Sequence, residues 1–331
     1  MRVLVVKLSS LGDVIHALPA LTDAAAALPG IQFDWVVEEA FAEIPAWHPA
    51  VNKVIPVAIR RWRKRPVQAL RSAHWRQFRV AMRQPYYDAV VDAQGLLKSA
   101  LVTRMVPSVR CGMDRQSARE SLASLFYHRR IQVPRQMHAV ERIRLLFAKA
   151  LNYPVPSGQG DYGVAASLTR HTDELPPGLL FFHGTARREK LWPEAHWIAL
   201  ADIAAAHGYA AWLPWGNPAE KLRAERIAAA ASNAKVLPAL DLLGLAGMLL
   251  QVSGAVAVDT GLAHLSAALD IPTVSLYGPT DTRLIGAYGH NQVHIQSPVG
   301  VDDTRDPLAM MQSIRPEHVW RQLGDILPEL Q

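Results

Sequence analysis

This chain of 331 residues is poor in cysteine and in long apolar runs. Its single cysteine, Cys111, excludes an intramolecular disulfide and favours a reducing compartment. The first residues are apolar, but Lys7, Asp13 and His16 interrupt the apolar run that a secretory signal peptide needs, so we expect none here. A long uncharged run, 242–258, is broken by a Gln-Val-Ser-Gly stretch, so we expect no transmembrane helix.

Several ligand-binding motifs are also missing. No Gly-x-Gly-x-x-Gly follows the first predicted strand of either half, and no Gly-x-x-x-x-Gly-Lys occurs. These absences argue against a dinucleotide oxidoreductase and against a P-loop enzyme. The chain has neither an Asp-x-Asp pair nor a cluster of His and Cys residues, so we expect no metal and no other cofactor.

Acidic residues are absent between Glu43 and Asp88, where the chain has Lys53 and nine further cations. Over residues 1–168 the net charge is +11, whereas residues 169–331 carry −5. Such a charge run is usually a solvated face, but cations this dense repel one another unless an anion is present. Phosphate groups, carboxylates and an anionic membrane surface all match this charge. A nucleic acid would match it too, but no nucleic-acid-binding motif accompanies the basic stretch.

The length and the 50% hydrophobic content are typical of a globular protein with two domains. Two series of alternating strands and helices predict an α/β fold of two Rossmann-like domains facing each other across a cleft. We place the domains at 1–165 and 166–331, with a Pro- and Gly-rich linker within 152–177. The final helix, near 316–327, is left free to pack on the first domain.

Apolar runs predict the strands 2–7, 33–37, 53–57, 87–92, 179–182, 211–214, 236–237, 255–258 and 272–277. Helical spacing predicts the main helices 117–127, 139–151, 194–207, 241–250 and 316–327.

The stretch 254–281 is the centre of the predicted site. It has the pattern of a strand, a turn at Asp259, Thr260 and Gly261, and a helix that carries His264. A helix that begins at such a turn presents backbone N–H groups to an anion. The simpler alternative is that Asp259 caps the helix and His264 packs on its inner face.

Asp13 occupies a similar place after the first strand, in the first turn of a helix that follows Gly12. It can be a helix cap, worth about 1 kcal/mol, or a carboxylate that acts as a general base. The spacing alone favours the cap.

Four further residues follow predicted strands. Thr185 and Lys190 are suited to hydrogen-bond a diphosphate, because a hydroxyl and an ammonium both donate to anionic oxygens. Glu220 can accept from a ribose diol, although it is equally suited to a first helical turn. Lys98, near another helix start, can meet an anion or lie free on the surface.

Read together, these stretches resemble glycosyltransferase family 9, the lipopolysaccharide heptosyltransferases. The matching blocks are SSLGDV at the N-terminus, PVAIRRWRK, DAQGLLKSA, LPWG followed by Glu220, VDTGLAHL and YGPTD. They extend over nearly the whole chain, and such agreement does not arise by chance.

The resemblance implies a GT-B fold and inverting transfer of L-glycero-D-manno-heptose from ADP-heptose to the inner Kdo of Kdo2-lipid A. It makes Asp13 the general base and assigns the donor to Thr185, Ala186, Lys190, Glu220, Leu240, Asp259, Thr260, Gly261 and His264. Of these, Leu240 meets the adenine through its main chain. Ala186 stands where the family often has a second threonine, which suggests one phosphate contact fewer.

The acceptor residues expected are Lys7, Arg60, Arg61, Arg63, Lys64, Lys98, Arg119, His138 and Arg142. The resemblance also implies a monomer without a nucleic-acid partner. By the same resemblance, the protein would be cytoplasmic and peripheral on the cytoplasmic face of the inner membrane, in contact with the anionic surface of that membrane.

Other functions remain open at this point. One is a later heptosyltransferase of the heptosyltransferase II kind or a GT-B epimerase. Another is a non-catalytic basic protein that binds glycolipid or nucleic acid, which would have no affinity for ADP.

Overall fold

The computed structural model describes residues 1–83, 86–168, 178–300 and 307–328. It forms two compact units, Met1–Ser167 and Leu168–Gln331. Part of the predicted linker, 169–177, lies outside the described residues. The preceding residues belong to the first unit, where Tyr153, Tyr162 and Val164 are buried.

The first unit is built on a six-stranded parallel sheet in the order β3-β2-β1-β4-β5-β6. Its strands are β1 (Arg2–Val6), β2 (Gln32–Glu38), β3 (Val51–Val57), β4 (Ala89–Asp92), β5 (Arg110–Met113) and β6 (Arg129–Ile131). In register, Val3 of β1 faces Phe33 of β2 and Ala89 of β4. Because helices cover both faces of such a sheet, the central strand β1 is buried and almost entirely apolar.

The helices of this unit are α1 (Leu11–Ile15), α2 (Leu18–Ala27), α3 (Glu43–Ala46), α4 (Ile59–Trp62), α5 (Pro66–Arg71), α6 (Ala73–Arg83), α7 (Leu97–Thr103) and α8 (Ala139–Leu151). Short 3₁₀ helices occur at Glu39–Phe41, Ser121–Phe126 and Ala165–Ser167. The predicted helix 139–151 is confirmed. The predicted helix 117–127 is wrong, because only a 3₁₀ helix forms there, packed on α7 through the buried Ala123.

The second unit repeats the strand order as β12-β11-β10-β7-β8-β9, again all parallel. Its strands are β7 (Gly178–Phe182), β8 (Ala210–Leu213), β9 (Ala234–Val236), β10 (Gly254–Val258), β11 (Thr273–Tyr277) and β12 (Gln292–Gln296). Its helices are α9 (Glu194–Ala206), α10 (Pro218–Ala230), α11 (Leu242–Leu249), α12 (Gly261–Ala268), α13 (Thr282–Ile285), α14 (Pro307–Gln312) and α15 (Pro316–Gly324), with a 3₁₀ helix at Arg188–Lys190.

The last helix, α15, packs on α9, β11 and β12 of its own unit, through Val319 and Leu323 of the second core. Packing of this helix on the first domain stays a prediction. In the described part of the chain, no helix combines the length and the apolar character needed to cross a bilayer.

In each unit the strand order reverses between two central strands, β1 and β4 in the first and β7 and β10 in the second. Loops at the carboxyl ends of such a pair diverge to opposite sides and leave a crevice, where open α/β sheets bind ligands. Asp13 and Lys98 follow the central strands of the first unit, and Thr185, Lys190 and Asp259 follow those of the second.

Candidate functional site

The site in the first unit, which we call the β1–β4 site, is formed by the loops after β1 and β4. Asp13 lies in α1, and its Oδ2 accepts hydrogen bonds from the Ser10 backbone N–H at 2.8 Å and from the Ser10 hydroxyl at 3.0 Å. The helix-cap interaction expected from the spacing is therefore present. Because 31% of the Asp13 side chain stays exposed, the carboxylate can also meet a ligand.

Lys7 supplies a buried cation beside Asp13. Its ammonium donates to the Ala93 carbonyl at 3.0 Å and lies 3.7 Å from Asp13 Oδ1. Burial lowers the pKa of Lys7, although the charges of Asp13 and Asp92 oppose that shift. Lys7 thus joins the loops after the two central strands and neutralises the carboxylate.

The pKa of Asp13 is set by opposing effects. Burial, the largest of them, would raise the pKa, but the Lys7 ammonium and the Ser10 donors outweigh it and hold the pKa below its ordinary value. Arg119 lowers the Asp13 pKa further through its charge. The carboxylate is therefore ionised at neutral pH and can accept a proton.

Gln94 fixes the loop that precedes Asp13, a role that its sequence position did not indicate. Its Oε1 accepts from the backbone N–H groups of Leu8 and Ser9 at 2.8 and 3.2 Å, and its Nε2 donates to the Ser9 carbonyl at 2.5 Å. Asp92 Oδ1 in turn accepts from the Gln94 backbone at 2.9 Å, while Tyr127 donates to its other oxygen at 2.7 Å.

Other predicted acceptor residues lie around this loop. Lys98 Nζ is 3.3 Å from the Ser9 hydroxyl. The backbone N–H of Arg60, in α4, donates to Glu38 at 3.1 Å. Burial raises the pKa of Glu38, against the opposing effects of Arg60 and Lys98, so these charges meet at the end of β2.

The remaining cations of α4 are held less closely. Arg61 pairs with Glu39 at 3.2 Å, but both side chains are about half exposed. Arg63 and Lys64 follow and are exposed. In the described part of the chain neither forms an ion pair, so their charges are available to an anion.

His138 and Arg142 have structural contacts of their own. His138 caps α8 by accepting from the Val140 N–H at 3.2 Å, and its ring packs edge-on against His16 at 5.6 Å. Arg142 donates to the Ser117 carbonyl at 2.6 Å, and its pKa is lowered by burial and by Arg135. Their acceptor-binding role stays a prediction.

The site in the second unit, the β7–β10 site, is centred on Asp259 at the end of β10. Asp259 Oδ2 accepts from the Lys190 ammonium at 2.6 Å and also from the Thr280 hydroxyl. Thr185, after β7, donates to the Asp259 carbonyl at 3.0 Å. The loops after β7, β10 and β11 are thereby joined.

The position of Asp259 in the sequence suggested that it caps the following helix, but the structure shows that it does not. The N-cap of α12 is Thr260, with an extended backbone, and Gly261 is the first helical residue. His264 lies buried within α12. The Asp259 carboxylate instead holds Lys190 beside the start of α12. The backbone N–H groups at the start of this helix also attract anions.

Glu220 lies in the first turn of α10, whose cap is Asn217. It accepts from the Gly216 N–H at 2.7 Å, and it contacts the loop after β7 so closely that a Cβ at Gly184 would lie 2.7 Å from its carboxyl carbon. Only a glycine allows that approach. Glu220 and Thr185 are therefore brought to the same edge of the sheet.

Two neighbouring predictions rest on main-chain groups. Ala186 is exposed next to Thr185 and can offer only its backbone N–H. Leu240 lies in the loop before α11, whose cap is Asp241, and its side chain packs over Gly244. No described contact bears on the adenine role of Leu240, which stays a prediction.

His183, just after β7, has no role predicted from the sequence. The structure buries it completely. Its Nε2 lies 3.1 Å from the Pro214 carbonyl and so joins the loops after β7 and β8. Burial and the charge of Arg223 lower its pKa to about 4, so the ring is neutral. Its burial was not readable from the sequence.

Among the described residues, no group of three or more His, Cys, Asp or Glu side chains is placed to hold a metal ion, and the absence of a metal from the reaction stays a prediction. The cations described at the two sites are Lys and Arg side chains.

Comparisons with known proteins give the same picture. The family model described as glycosyltransferase family 9 (heptosyltransferase) matches residues 75–312. Lipopolysaccharide heptosyltransferase 1 of Pseudomonas aeruginosa is 58% identical over 298 residues, which cover 90% of this chain and 84% of that protein. The protein of the same name from Escherichia coli K12 is 54% identical over 300 residues, which cover 90% of this chain and 94% of that protein.

Solved structures agree over almost the full length. E. coli heptosyltransferase WaaC with ADP superposes with a TM-score of 0.90 at 49% identity, covering 98% of this chain and 99% of that one. The same protein with ADP-2-deoxy-2-fluoro heptose gives a TM-score of 0.87 at 48% identity, with the same coverage of both chains.

Proposed function

Since this chain belongs to glycosyltransferase family 9, the heptosyltransferases, we propose that it transfers L-glycero-D-manno-heptose from ADP-heptose to the inner Kdo of Kdo2-lipid A. The protein is a glycosyltransferase of lipopolysaccharide biosynthesis with two Rossmann-like units of the GT-B type. ADP-heptose as donor is supported by the similar solved structure of E. coli heptosyltransferase WaaC, which contains ADP-2-deoxy-2-fluoro heptose. The acceptor, the residue roles and the membrane contact are the further parts of the proposal.

The β7–β10 site would bind the donor diphosphate. Departure of ADP places growing negative charge on the diphosphate, and a metal-free enzyme must meet it with fixed cations and N–H groups. Lys190, held by Asp259, supplies the charge, while Thr185, Thr260 and Gly261 supply donors. The 2.6 Å contact between Lys190 and Asp259 is the observation that carries this assignment.

Other residues of this unit would hold the rest of the donor. Glu220 would accept from the ribose, His264 would lie beside the heptose, and the main chain at Leu240 would meet the adenine. The backbone N–H of Ala186 would replace the hydroxyl that the family often has at that place.

Asp13 of the β1–β4 site would act as general base. It would take the proton from the acceptor hydroxyl while that oxygen forms a bond to the anomeric carbon and the bond to the diphosphate breaks. A single displacement of this kind inverts the anomeric configuration. The lowered pKa of Asp13 keeps it ready to accept that proton at neutral pH.

The cations of the first unit would bind the acceptor, whose phosphate and carboxylate groups match their charge. Arg60, Arg61, Arg63 and Lys64 lie in or next to α4, and Lys7, Lys98 and Arg119 lie around Asp13. His138 and Arg142 are kept as members of this set. The enzyme would work as a monomer at the cytoplasmic face of the inner membrane, without a metal or nucleic acid.

The test is product formation from ADP-heptose with Kdo2-lipid A and, separately, with an acceptor that already carries a heptose. We expect the first acceptor alone to react. Turnover of only the second would make the chain a later heptosyltransferase. In a thermal-shift assay ADP should raise the melting temperature more than UDP or GDP, and the absence of any nucleotide shift would favour a non-catalytic binding protein.

Lys190→Gln gives a sharper test of the donor site. Removing one donor to a developing oxyanion costs about 10²–10³-fold in kcat. We expect a loss of that order together with a smaller ADP-induced thermal shift. The matched control is Lys221→Gln, since Lys221 is half exposed and pairs only loosely with Glu225 at 3.8 Å. If both variants keep full activity, Lys190 does not bind the leaving group.

A further inference from the structure

The first unit contains an apolar cavity that the proposed transfer does not use. It has a volume of about 420 Å³ and lies between α4, α6 and α7. We call it the α4–α6–α7 cavity. The lining residues that matter here are Trp62, Trp75, Phe78, Arg79, Arg83 and Leu101.

Aromatic rings form one wall of the cavity. Trp62 and Trp75 meet edge to face at 5.1 Å, and Phe78 lies 5.6 Å from Trp62 and 5.9 Å from Trp75. A second cavity of about 250 Å³ is lined by the same two tryptophans together with Ile59, Arg63, Pro66, Ala69 and Leu70. Two apolar cavities therefore share these indole rings.

The charged groups that line the larger cavity are both cationic. Arg79 and Arg83 are exposed on α6, and among the described residues neither forms an ion pair. No acidic residue occurs between Glu43 and Asp88, so the whole α4–α6 segment is positive. A molecule that matches this site has an apolar body and an anionic end.

The surrounding surface is also apolar and basic together. Val67 and Leu70 of α5 and Val80 of α6 are 64%, 60% and 64% exposed. Leu101, on the cavity wall, is 54% exposed. Exposed aliphatic side chains interspersed with arginines are typical of segments that lie in the interface of an anionic bilayer.

We propose that the α4–α6–α7 cavity binds one fatty acyl chain of an anionic phospholipid, whose phosphate pairs with Arg79 and Arg83. Its volume lies within the roughly 300–1,000 Å³ of ligand sites. A chain end buried in the cavity would anchor the protein reversibly, as a single acyl chain does at a membrane. The choice of phospholipid rests on the proposed function, which already assigns the α4 cations to the acceptor.

The first test detects the chain inside the cavity. The full-length protein is mixed with phosphatidylcholine vesicles that contain phosphatidylglycerol brominated in its acyl chains, because bromine quenches tryptophan only on contact. We expect quenching, and we expect the double variant Trp62→Phe, Trp75→Phe to lose most of it while still floating with the vesicles. Quenching that is absent, or unchanged in the double variant, overturns the proposal.

A second test uses a matched pair of leucines. Leu101→Glu places a negative charge at the cavity wall, whereas Leu222→Glu makes the same change at a leucine of α10 that is 57% exposed. Flotation with phosphatidylglycerol-containing vesicles should weaken about tenfold for Leu101→Glu and less than about twofold for Leu222→Glu. Equal weakening of both would show adsorption by net charge alone and overturn the proposal.

The arginines give an independent measurement if Leu101→Glu is poorly folded. A basic residue at an anionic surface is worth about 1 kcal/mol, so Arg79→Gln and Arg83→Gln should each weaken vesicle binding about fivefold. Arg321→Gln, an exposed arginine of α15, should have no effect. Unchanged binding of both cavity variants contradicts the phosphate contact.

Failure of this proposal can be told apart from failure of the proposed function. Turnover of a water-soluble, deacylated acceptor should be the same for wild type and Leu101→Glu. If wild type does not turn over any acceptor, the proposed function fails while the quenching result still stands. If quenching occurs only when the acceptor glycolipid carries the bromine, the cavity binds the acceptor and the phospholipid assignment is overturned.

Discussion

The two units have the same strand order, yet they arrange their central carboxylates differently. In the β7–β10 site Asp259 is 13% exposed and is bonded to Lys190 at 2.6 Å. In the β1–β4 site Asp13 is 31% exposed, and its cation, Lys7, lies at 3.7 Å. A tight pair fixes a cation, whereas a loosely paired, more exposed carboxylate can take up a proton.

The charge around the two sites differs in the same sense. The basic segment of the first unit has few internal partners, with Arg61 and Glu39 in a largely exposed pair. In the second unit Arg226 and Arg223 both pair with Glu194. The first unit is therefore suited to a large anionic partner, and the second to one compact ligand.

The strongest way to separate the two sites is Asp13→Ala. We expect it to abolish measurable transfer, a loss of about 10²–10⁴-fold in kcat, because no general base remains. ADP binding to the second unit, measured by calorimetry, should stay within a few-fold of wild type. Loss of the cap bonds to Ser10 should cost about 1 kcal/mol of stability. Equal losses of transfer and ADP affinity would make Asp13 structural.

Neutralising the basic cluster should affect one substrate only. With Arg60, Arg61, Arg63 and Lys64 changed to Gln, we expect the KM for the acceptor to rise about tenfold or more, because charge-assisted hydrogen bonds are lost. The KM for the donor should not change. A matched variant with Arg115 and Arg130 changed to Gln removes exposed charge elsewhere in this unit and should keep both constants. An unchanged acceptor KM would refute the role of the cluster.

The regular part of the fold was predictable because its central strands are continuous apolar runs. Strands β1 and β10 were predicted to within one residue, and the family resemblance is confirmed. Strands β5 and β6 were missed because arginines begin both of them and each is too short to show a pattern. Strand β12 was missed because its polar residues at both ends and its central histidine leave no continuous apolar run.

Individual site residues were predictable where a strand, a turn and a helix follow in order, as at Asp13 and Asp259. Their partners were not. Gln94 bonds to Ser9 across 85 positions of the chain, and Thr280 bonds to Asp259 across 21. Such pairs are created by the strand order, which local spacing does not encode.

A third experiment sharpens the contrast in proton uptake. Lys7→Met removes the cation that most opposes the effect of burial on Asp13, so the Asp13 pKa should rise. The acid limb of the pH–kcat profile should then move to higher pH, while the plateau, where Asp13 is ionised in both proteins, should change by less than about fivefold. Lys98→Met is the control, because the Lys98 ammonium contacts the Ser9 hydroxyl rather than the Asp13 carboxylate. An unmoved acid limb would mean that another group titrates there.

The same coupling predicts a stability effect. Because the pKa of Asp13 is lower in the folded protein than in the unfolded chain, its ionised form stabilises the fold above the unfolded pKa. That contribution is lost as the pH falls through the folded pKa. Acid unfolding of Lys7→Met should therefore lose this component at higher pH than in wild type.

The smallest expected effect concerns Thr280 in the second unit. Its hydroxyl donates to the Asp259 oxygen that also binds Lys190, so it restricts the rotation of that carboxylate. Thr280→Val keeps the shape but removes the donor, and we expect kcat to fall only about two- to threefold, with the acceptor KM unchanged. Thr280→Ser should restore kcat because it keeps the hydroxyl. If Thr280→Val keeps the wild-type kcat while Thr280→Ser is slow, the methyl group and not the hydrogen bond positions Asp259, and the tight pair of the second unit would then depend on packing rather than on charge.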